Sequence, residues 1–212
     1  MEKLLRNLEK NNMKGYFVEN TEEACELVKS LICEGDTVTF GGSMTLYESG
    51  VFDVLNSGKY NLLDRNRPGI SKDEINKIYR EAYFADCYFA STNAITEDGC
   101  LYNVDGNANR VSAMLYGPKS VIVLVGKNKI VKNLDEAVRR VKTEAAPKNC
   151  VRLNCDTPCQ KTGECISLSM DSPEACDGCG TDARICCNYV VMAHQRVKDR
   201  VKVIIINQDL GY

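Results

Sequence analysis

The sequence predicts an α/β fold with a largely parallel sheet flanked by helices. Strand-like and helix-like segments alternate through most of the 212 residues, which is the pattern of a parallel sheet with helical crossovers. The segment Ser120–Val125 contains an unbroken apolar run, as expected for a strand buried on both faces. With 44% hydrophobic and 26% charged residues and no low-complexity tract, the composition indicates a single globular domain over residues 1–212.

The first part of the chain supplies helices and strands in turn. Apolar residues at helical spacing predict helices, and short β-branched or aromatic runs predict strands. Acidic residues in the first turn support a helix capped by Thr21, because negative charge interacts favourably with the positive N-terminal end of the helix dipole. The predicted order is a helix carrying Leu4, Leu5 and Leu8, the strand Gly15–Val18, the helix from Thr21, the strand Asp36–Phe40, the helix Met44–Leu55 and the strand Asn61–Asp64.

The second part continues the alternation. Ser71 and Glu74 form the pattern of a capping box, which predicts a helix running from there through Phe84. The further predicted elements are the strand Cys87–Ala90, the helix Asn107–Tyr116, the strand Ser120–Val125, the helix Leu134–Val141 and the last strand Val201–Ile206. An irregular Cys-rich stretch precedes that last strand.

Eight of the twelve cysteines lie in this stretch, residues 149–189, which we call the Cys-rich segment; they are Cys150, Cys155, Cys159, Cys165, Cys176, Cys179, Cys186 and Cys187. The sequence shows no secretory leader and no apolar run long enough for a bilayer, so we expect a cytoplasmic protein whose thiols stay reduced. A fold of this length does not need disulfides. We therefore expect a metal-binding insertion.

The spacing of the cysteines leaves the metal open between iron and zinc. Four thiolates suit a [4Fe–4S] cluster and a zinc ion about equally well. The chain lacks both the ferredoxin spacing and the paired knuckles of a zinc ribbon, and ligands spread over an irregular loop favour a cubane. We expect a [4Fe–4S] cluster, with zinc as the alternative. Spacing favours Cys176, Cys179 and Cys186 together with Cys159.

The charge distribution excludes one class of partner. The net charge is −2, and the Cys-rich segment carries more acidic than basic residues. A nucleic-acid surface should be basic. We therefore expect no nucleic acid as a partner, and the lack of an apolar run long enough for a bilayer leads us to expect no membrane partner.

A glycine turn between the second predicted strand and its helix is the first candidate for a ligand site. Backbone N–H groups at Gly41 and Gly42, with the hydroxyls of Ser43 and Thr45, can bind a carboxylate or a phosphate. The turn lacks the lysine of a P-loop and is not a dinucleotide fingerprint. A tight turn with an N-cap explains the same residues.

A polar loop follows the strand ending near Ala90. Asn93 can position a ligand there, and the adjacent acids Glu97 and Asp98 can supply a nucleophilic or basic carboxylate. A solvated turn is the simpler explanation.

A third candidate stands at the start of the next helix, where amides, an acid and a guanidinium are concentrated. Asn107 and Arg110 are three residues apart and share a face. The candidate ligand residues here are Asn103, Asp105, Asn107 and Arg110.

Several strings in this order resemble the lactate-utilisation (LUD, YkgG-like) domain family. They are Gly41–Leu46, Ser91–Gly99, Asn103–Val111, Tyr116–Lys119, Thr157–Cys159, Gly163-x-Cys165, Cys179, Arg184–Cys186 and Leu210–Tyr212. The resemblance covers essentially the whole chain. It implies the NagB/RpiA/CoA-transferase-like α/β fold and a role near the oxidation of lactate or a similar hydroxy acid, beside iron–sulfur oxidoreductase subunits. A homo-oligomer is compatible with it.

The resemblance also implies a ligand set. The family's cysteine pattern maps onto Cys159, Cys165, Cys179 and Cys186, but this chain has eleven additional residues between Cys165 and Cys179, which contribute Cys176. Cys165 and Cys176 therefore both remain candidates.

Three functional hypotheses follow. The first is an iron–sulfur subunit, acting in electron transfer or regulation of hydroxy-acid oxidation, that binds a small anion at the strand-end loops. The second is a CoA-transferase-like or sugar-isomerase-like enzyme, because Thr96–Gly99 resembles the loop whose glutamate attacks an acyl-CoA; Glu97 would be the nucleophile, with Gly41 and Gly42 at the oxyanion. The third is a zinc-stabilised scaffold that docks onto a partner.

Overall fold

The computed structural model describes residues 1–212 and confirms the predicted α/β class. The strands are β1 (Lys14–Val18), β2 (Thr37–Phe40), β3 (Asn61–Leu63), β4 (Cys87–Ser91), β5 (Ala94–Thr96), β6 (Leu101–Asp105), β7 (Ser120–Gly126), β8 (Ile130–Val131), β9 (Asn188–Met192) and β10 (Val201–Ile206). Six of them form a sheet in the order β1-β10-β7-β4-β2-β3, and every pairing in it is parallel.

Helices cover both faces of this sheet. They are α1 (Glu2–Lys10), α2 (Thr21–Leu31), α3 (Met44–Glu48), α4 (Val51–Leu55), α5 (Lys72–Glu81), α6 (Asn109–Tyr116), α7 (Leu134–Arg140), α8 (Ala146–Arg152) and α9 (Pro158–Thr162). Alternate residues of β7 enter two separate cores: Val121 and Val123 lie in one, Ile122 and Leu124 in the other. Burial on both faces explains why β7 has no polar residue in its interior.

Three helix boundaries differ from the prediction. The segment Met44–Leu55 is two helices, because Gly50 takes a left-handed conformation with φ 71° between them. Asn20, one residue before Thr21, is the N-cap of α2, and its side chain accepts a hydrogen bond from the Glu23 amide. The helix expected from Asn107 begins at Asn109, after Ala108 at φ 56°.

A second, smaller sheet was not expected from the sequence. Its strand order is β8-β5-β6-β9, with β5–β6 and β6–β9 antiparallel and β5–β8 parallel. Its strands β5 and β6 lie in residues for which the sequence predicts no strand, within the polar loop Ser91–Gly99 and at the start of the motif Asn103–Arg110. Strand β9 brings the end of the Cys-rich segment against β6, where Asn188 is paired with Asp105.

A nearly continuous helical run leads into the Cys-rich segment. Helix α7 passes through a π-helical turn, Val141–Ala145, directly into α8. The Cys-rich segment then continues through α9 and a 3₁₀ turn, Ile166–Ser169, to β9. None of the helices has the length and hydrophobicity needed to span a bilayer.

Candidate functional site

A cavity of about 340 Å³ lies at the carboxyl ends of the central strands, the expected position for a ligand in an open α/β sheet. We call it the cationic cavity. The loops after β2, β4 and β7 reach it, together with the start of α6, the α8 region and the last residue of the chain. Its polar lining includes Ser43, Arg65, Tyr79, Ser91, Thr92, Asn93, Asp105, Asn107, Asn109, Arg110, Lys129, Asn149, Arg152 and Tyr212.

The charged side chains of this lining are mostly basic. Arg65, Arg110, Lys129 and Arg152 face a single acid, Asp105. Asp105 and Arg110 form an ion pair with an N–O distance of 2.6 Å, and both side chains are only 10% exposed. The remaining three cations have no carboxylate within ion-pair distance. The cavity is therefore suited electrostatically to a small anion.

Arg110 holds the surrounding loops together. Its Nε and Nη2 donate to Asp105 Oδ1, its Nη1 donates to Ser91 O and Asn103 Oδ1 (both 2.7 Å), and its Nη2 also donates to Asn93 Oδ1 at 3.0 Å. These bonds use all five N–H donors of a guanidinium. We conclude that Arg110 shapes the cavity wall and has no donor left for a ligand.

Lys129 is the most unusual side chain of the cavity. It is only 3% exposed, and its Nζ lies 2.8 Å from Thr45 Oγ1 and 3.0 Å from Ser91 Oγ. Burial, together with the positive charges of Arg140 and Arg110, lowers the pKa of Lys129 from 10.5 to about 7, with Glu48 acting weakly in the opposite direction. The amine is thus divided between its charged and neutral forms near neutral pH.

The two glycines of the predicted anion turn leave room for arginines. A Cβ on Gly41 would lie 2.8 Å from Arg110 Cγ, and one on Gly42 would lie 3.0 Å from Arg65 Nη2. The Ser43 side chain accepts a hydrogen bond from the Leu46 amide as the N-cap of α3. Gly42 and Ser43 line the cavity, whereas Gly41 and the fully buried Thr45 lie behind its lining.

The other predicted ligand residues divide in the same way. Asn93, Asp105, Asn107 and Arg110 line the cavity. Asn103 is fully buried behind it, where its Oδ1 accepts from Arg110 and its Nδ2 has no partner.

The acids of the predicted catalytic loop lie elsewhere. Glu97 forms an exposed ion pair with Lys3 of α1 at 3.0 Å, and the backbone carbonyls of Glu97 and Asp98 accept hydrogen bonds from Asn7 and Asn11 of the same helix. Neither acid lines the cationic cavity. The geometry therefore gives no support to an acyl-CoA site that combines Glu97 with Gly41 and Gly42.

The cysteines form a second site. Cys150, Cys159, Cys165, Cys179 and Cys186 line one small, largely apolar cavity, which we call the thiol cavity. Cys176 is exposed and does not line it. All twelve cysteines are free thiols. The structure thus gathers the four cysteines that the family resemblance implied, with Cys165 among them, and adds Cys150, whose sulfur is 3.7 Å from that of Cys159.

The groups around these thiols are suited to thiolates. Buried hydroxyls of Thr157 and Ser167 lie 3.4 Å from Cys159 Sγ and 3.3 Å from Cys165 Sγ, within reach to donate to a thiolate. Lys142 lines the cavity at 5% exposure, and its Nζ contacts the Glu174 carbonyl at 2.8 Å but no carboxylate. A buried cation without an acid favours negative charge on the sulfurs.

Arg184 arranges the loop that carries the last two ligand candidates. Its guanidinium donates to the carbonyl oxygens of Cys176, Cys179 and Cys186 at 2.7–3.2 Å. Burial, followed by the nearby thiols of Cys159 and Cys165, raises the pKa of the Cys186 thiol to about 12. A bound metal would be needed to ionise this thiol near neutral pH. No three cysteine, histidine or acidic side chains stand in a geometry that already holds a metal ion, so the residues fit a thiolate-bound group by donor type and surroundings.

The two cavities share one wall. Val141, Ala146, Ile185 and Cys186 line both of them. The position of Cys186 follows from the pairing of β9 with β6, since the Cys187 amide donates to the Asp105 carbonyl and the Asn188 side chain donates to the Gly106 carbonyl. One candidate metal ligand is thereby fixed beside the cationic cavity.

Comparison with known proteins identifies the family. The sequence matches the LUD domain family over residues 1–206. The chain belongs to the LUD domain family. Among solved structures, it is similar to a DUF162 family protein from Deinococcus radiodurans, with a TM-score of 0.52 and 15% identity over 97% of this chain and 94% of that one. It also matches eIF2B beta from Chaetomium thermophilum, with a TM-score of 0.39 and 14% identity over 53% of this chain and 43% of that one. No curated protein matches.

Two important residues of this LUD domain were not selected from the sequence. Lys129 follows β7, and the rule that ligands bind at the carboxyl ends of parallel strands would have pointed to its loop. Arg65 follows β3 in the same way, and its Nε is a buried donor without a partner. Both residues lie in polar stretches typical of solvent-exposed loops, so the sequence pattern alone did not indicate that their side chains line a cavity.

Proposed function

We propose that this LUD domain binds the anion of a small hydroxy or oxo acid, such as lactate or pyruvate, beside a thiolate-bound [4Fe–4S] cluster. In this proposal it acts as an electron-transfer or regulatory subunit in the oxidation of that acid, in the cytoplasm. The wall shared by the cationic and thiol cavities carries the proposal, because it holds Cys186 next to the anion site. Membership of a family linked to lactate utilisation supports it.

The residues of the cationic cavity would bind and orient the acid. Arg65, and Lys129 in its protonated form, supply positive charge without carboxylate partners, and the Asp105–Arg110 pair keeps the wall in place. The volume of about 340 Å³ accommodates a small organic acid and is at the lower end of the range for ligand sites.

Cys159, Cys165, Cys179 and Cys186 would hold the cluster, which supplies one-electron transfer when bound. Thr157 and Ser167 would donate to two of the sulfurs, and Lys142 would offset part of the negative charge. Electrons would be exchanged with a separate iron–sulfur oxidoreductase subunit. Zinc in the same thiol site is the alternative, and it would make the segment structural.

Metal and acid-labile sulfide analysis of anaerobically purified protein tests the cluster. We expect about four iron and four sulfide per chain, with a broad visible absorption that bleaches on reduction. One zinc per chain with no sulfide, or a colourless protein free of iron, would contradict the proposal.

A pair of serine variants tests the ligand assignment. Cys165→Ser should lose most of the iron and sulfide, because Cys165 lines the thiol cavity, whereas Cys176→Ser should retain both, because Cys176 is exposed outside it. The reverse result would move the site to the set favoured by spacing.

Binding of lactate and pyruvate tests the anion site. We expect saturable binding in calorimetry that Arg65→Met weakens and Arg80→Met, at an exposed position of α5, leaves unchanged. In the reduced protein, ligand should also alter the paramagnetic resonance spectrum of the cluster, since Cys186 lies between the two cavities. No binding of either acid would overturn this part of the proposal.

A further inference from the structure

The Lys129 amine, which lines the cationic cavity, has two hydrogen-bond partners, the hydroxyls of Thr45 and Ser91. Thr45 Oγ1 donates its own proton to the Leu210 carbonyl, and Ser91 Oγ donates to the Thr92 carbonyl. Both hydroxyl oxygens must therefore accept from Lys129 Nζ. In the neutral amine these two bonds use both N–H donors and leave the nitrogen lone pair free.

No acid near Lys129 holds it in the charged form by an ion pair. Its Nζ has no carboxylate within 4.0 Å, and its two bonded partners are both uncharged hydroxyls. Charged groups around it come from three elements: Arg110 of α6, Arg140 of α7 and Glu48 of α3. Two of these three oppose its protonation. A desolvated lysine beside other cations is a suitable nucleophile toward carbonyl carbon.

We propose that Lys129 forms a reversible imine with the carbonyl carbon of a small 2-oxo acid held in the cationic cavity. The amine lone pair adds to the carbonyl carbon, and a proton moves from nitrogen to the carbonyl oxygen to give a carbinolamine. Loss of water then forms the C=N bond. No oxidant or reductant is consumed, and the carboxylate of the acid is offset by the unpaired cations of the lining. This inference rests on the proposed anion site and adds a covalent step to it.

The burial of Lys129 gives the step a distinctive pH range. Because its pKa is lowered to about 7, the amine is nucleophilic near neutral pH. Lys127, two residues earlier, is exposed and lacks the burial that lowers the pKa of Lys129.

Reductive trapping with pyruvate as the probe tests the inference. The full-length protein is incubated with pyruvate near pH 7.5, reduced with borohydride, and analysed by intact-mass and peptide mass spectrometry. We expect one adduct per chain, with the mass of pyruvic acid less one oxygen atom, located on Lys129. Acetone, which has a carbonyl but no carboxylate, should give at least tenfold less.

Two variants separate the site from surface chemistry. Lys127→Met should keep the adduct, and Lys129→Arg, which retains the positive charge but cannot form the imine, should lose it. Mapping of the adduct in the wild-type protein decides the question even if Lys129→Arg folds poorly. An adduct spread over exposed lysines, or none, would overturn the inference. Saturable pyruvate binding without an adduct would overturn the imine and leave the proposed anion site standing, whereas absence of binding would contradict both.

Discussion

Arg110 shows how a residue of a predicted binding motif can be committed to the fold. The motif Asn103–Arg110 concentrates polar groups as a ligand site would, but these groups bind one another and neighbouring loops. Arg110 donates hydrogen bonds to oxygens of Ser91, Asn93, Asn103 and Asp105. The sequence indicates that these residues belong together. Their assignment to fold or to ligand depends on distances between β4, β6 and α6, which a sequence does not contain.

Removing the Arg110 guanidinium should destabilise the protein strongly. In Arg110→Met, the Asp105 carboxylate remains at 10% exposure without its partner, and loss of one member of a buried pair typically costs about 3–5 kcal/mol. We expect a loss of that size in the free energy of unfolding, measured with denaturant. Lys3→Ala breaks the exposed Lys3–Glu97 pair and should cost less than about 1 kcal/mol. Similar losses in the two variants would contradict the structural assignment of Arg110.

Among the secondary-structure elements, the prediction from sequence agrees best with the structure where the strands are buried. The central strands were predictable because β4, β7 and β10 are buried on both faces and are consequently rich in apolar residues. The strands β5 and β8 have only three and two residues, and β6 ends in Asn103, Val104 and Asp105. Such short or polar segments have no periodicity that distinguishes them from loops. Apart from the β5–β6 hairpin, the second sheet forms by pairing between segments that are distant in the sequence.

The π-helical turn between α7 and α8 connects the two cavities. Val141, at its start, and Ala146, immediately after it, line both. Lys142 of the turn anchors the Cys-rich segment twice, since its carbonyl accepts from the Cys165 amide at 2.8 Å and its Nζ donates to the Glu174 carbonyl at 2.8 Å. Single π-helical turns are frequent at functional sites.

Lys142→Met should loosen one loop of the Cys-rich segment while the central sheet stays intact. The variant keeps most of the apolar side chain and loses the charged hydrogen bond to Glu174, worth about 1.5 kcal/mol, or roughly tenfold in local opening. We expect hydrogen exchange in residues 171–180 to accelerate by about that factor. Lys148→Met, at an exposed position in the same helical run, should leave exchange there unchanged. Equal protection in both variants would show that Lys142 does not anchor the loop.

Over the whole molecule, a net charge of −2 conceals a local excess of positive charge. The net charge could not have predicted the cationic cavity. Arg65, Lys129 and Arg152 are far apart in the chain and meet only at the carboxyl edge of the sheet. The burial of Lys129 depends also on residues 210–212: Leu210 accepts from Thr45, and a Cβ on Gly211 would lie 3.3 Å from Lys129 Nζ. The sequence resemblance includes these last residues, but it does not reveal which side chain they cover.

Lys129 should make the stability of the whole protein depend on pH in a recognisable direction. Its pKa falls from 10.5 in the unfolded chain to about 7 in the folded protein, so between these values the unfolded chain binds more protons. Stability should then rise with pH, at up to about 1.4 kcal/mol per pH unit, and the contribution should be flat below about pH 7. Above pH 9 the buried Cys87 thiol, whose pKa is raised to about 12, has the opposite effect, because only the unfolded chain ionises there.

The useful range is therefore pH 6–8.5, and the measurement is the difference in unfolding free energy between the wild-type protein and Lys129→Met. Lys127→Met provides the control, because it also removes one lysine from the same loop, but at an exposed position. We expect the wild type to gain stability relative to Lys129→Met as pH rises past 7, and to remain parallel to Lys127→Met throughout. A constant difference between the wild type and Lys129→Met would mean that Lys129 stays protonated in the folded protein. In that state it would be an anion-binding residue with no lone pair available for an imine at neutral pH.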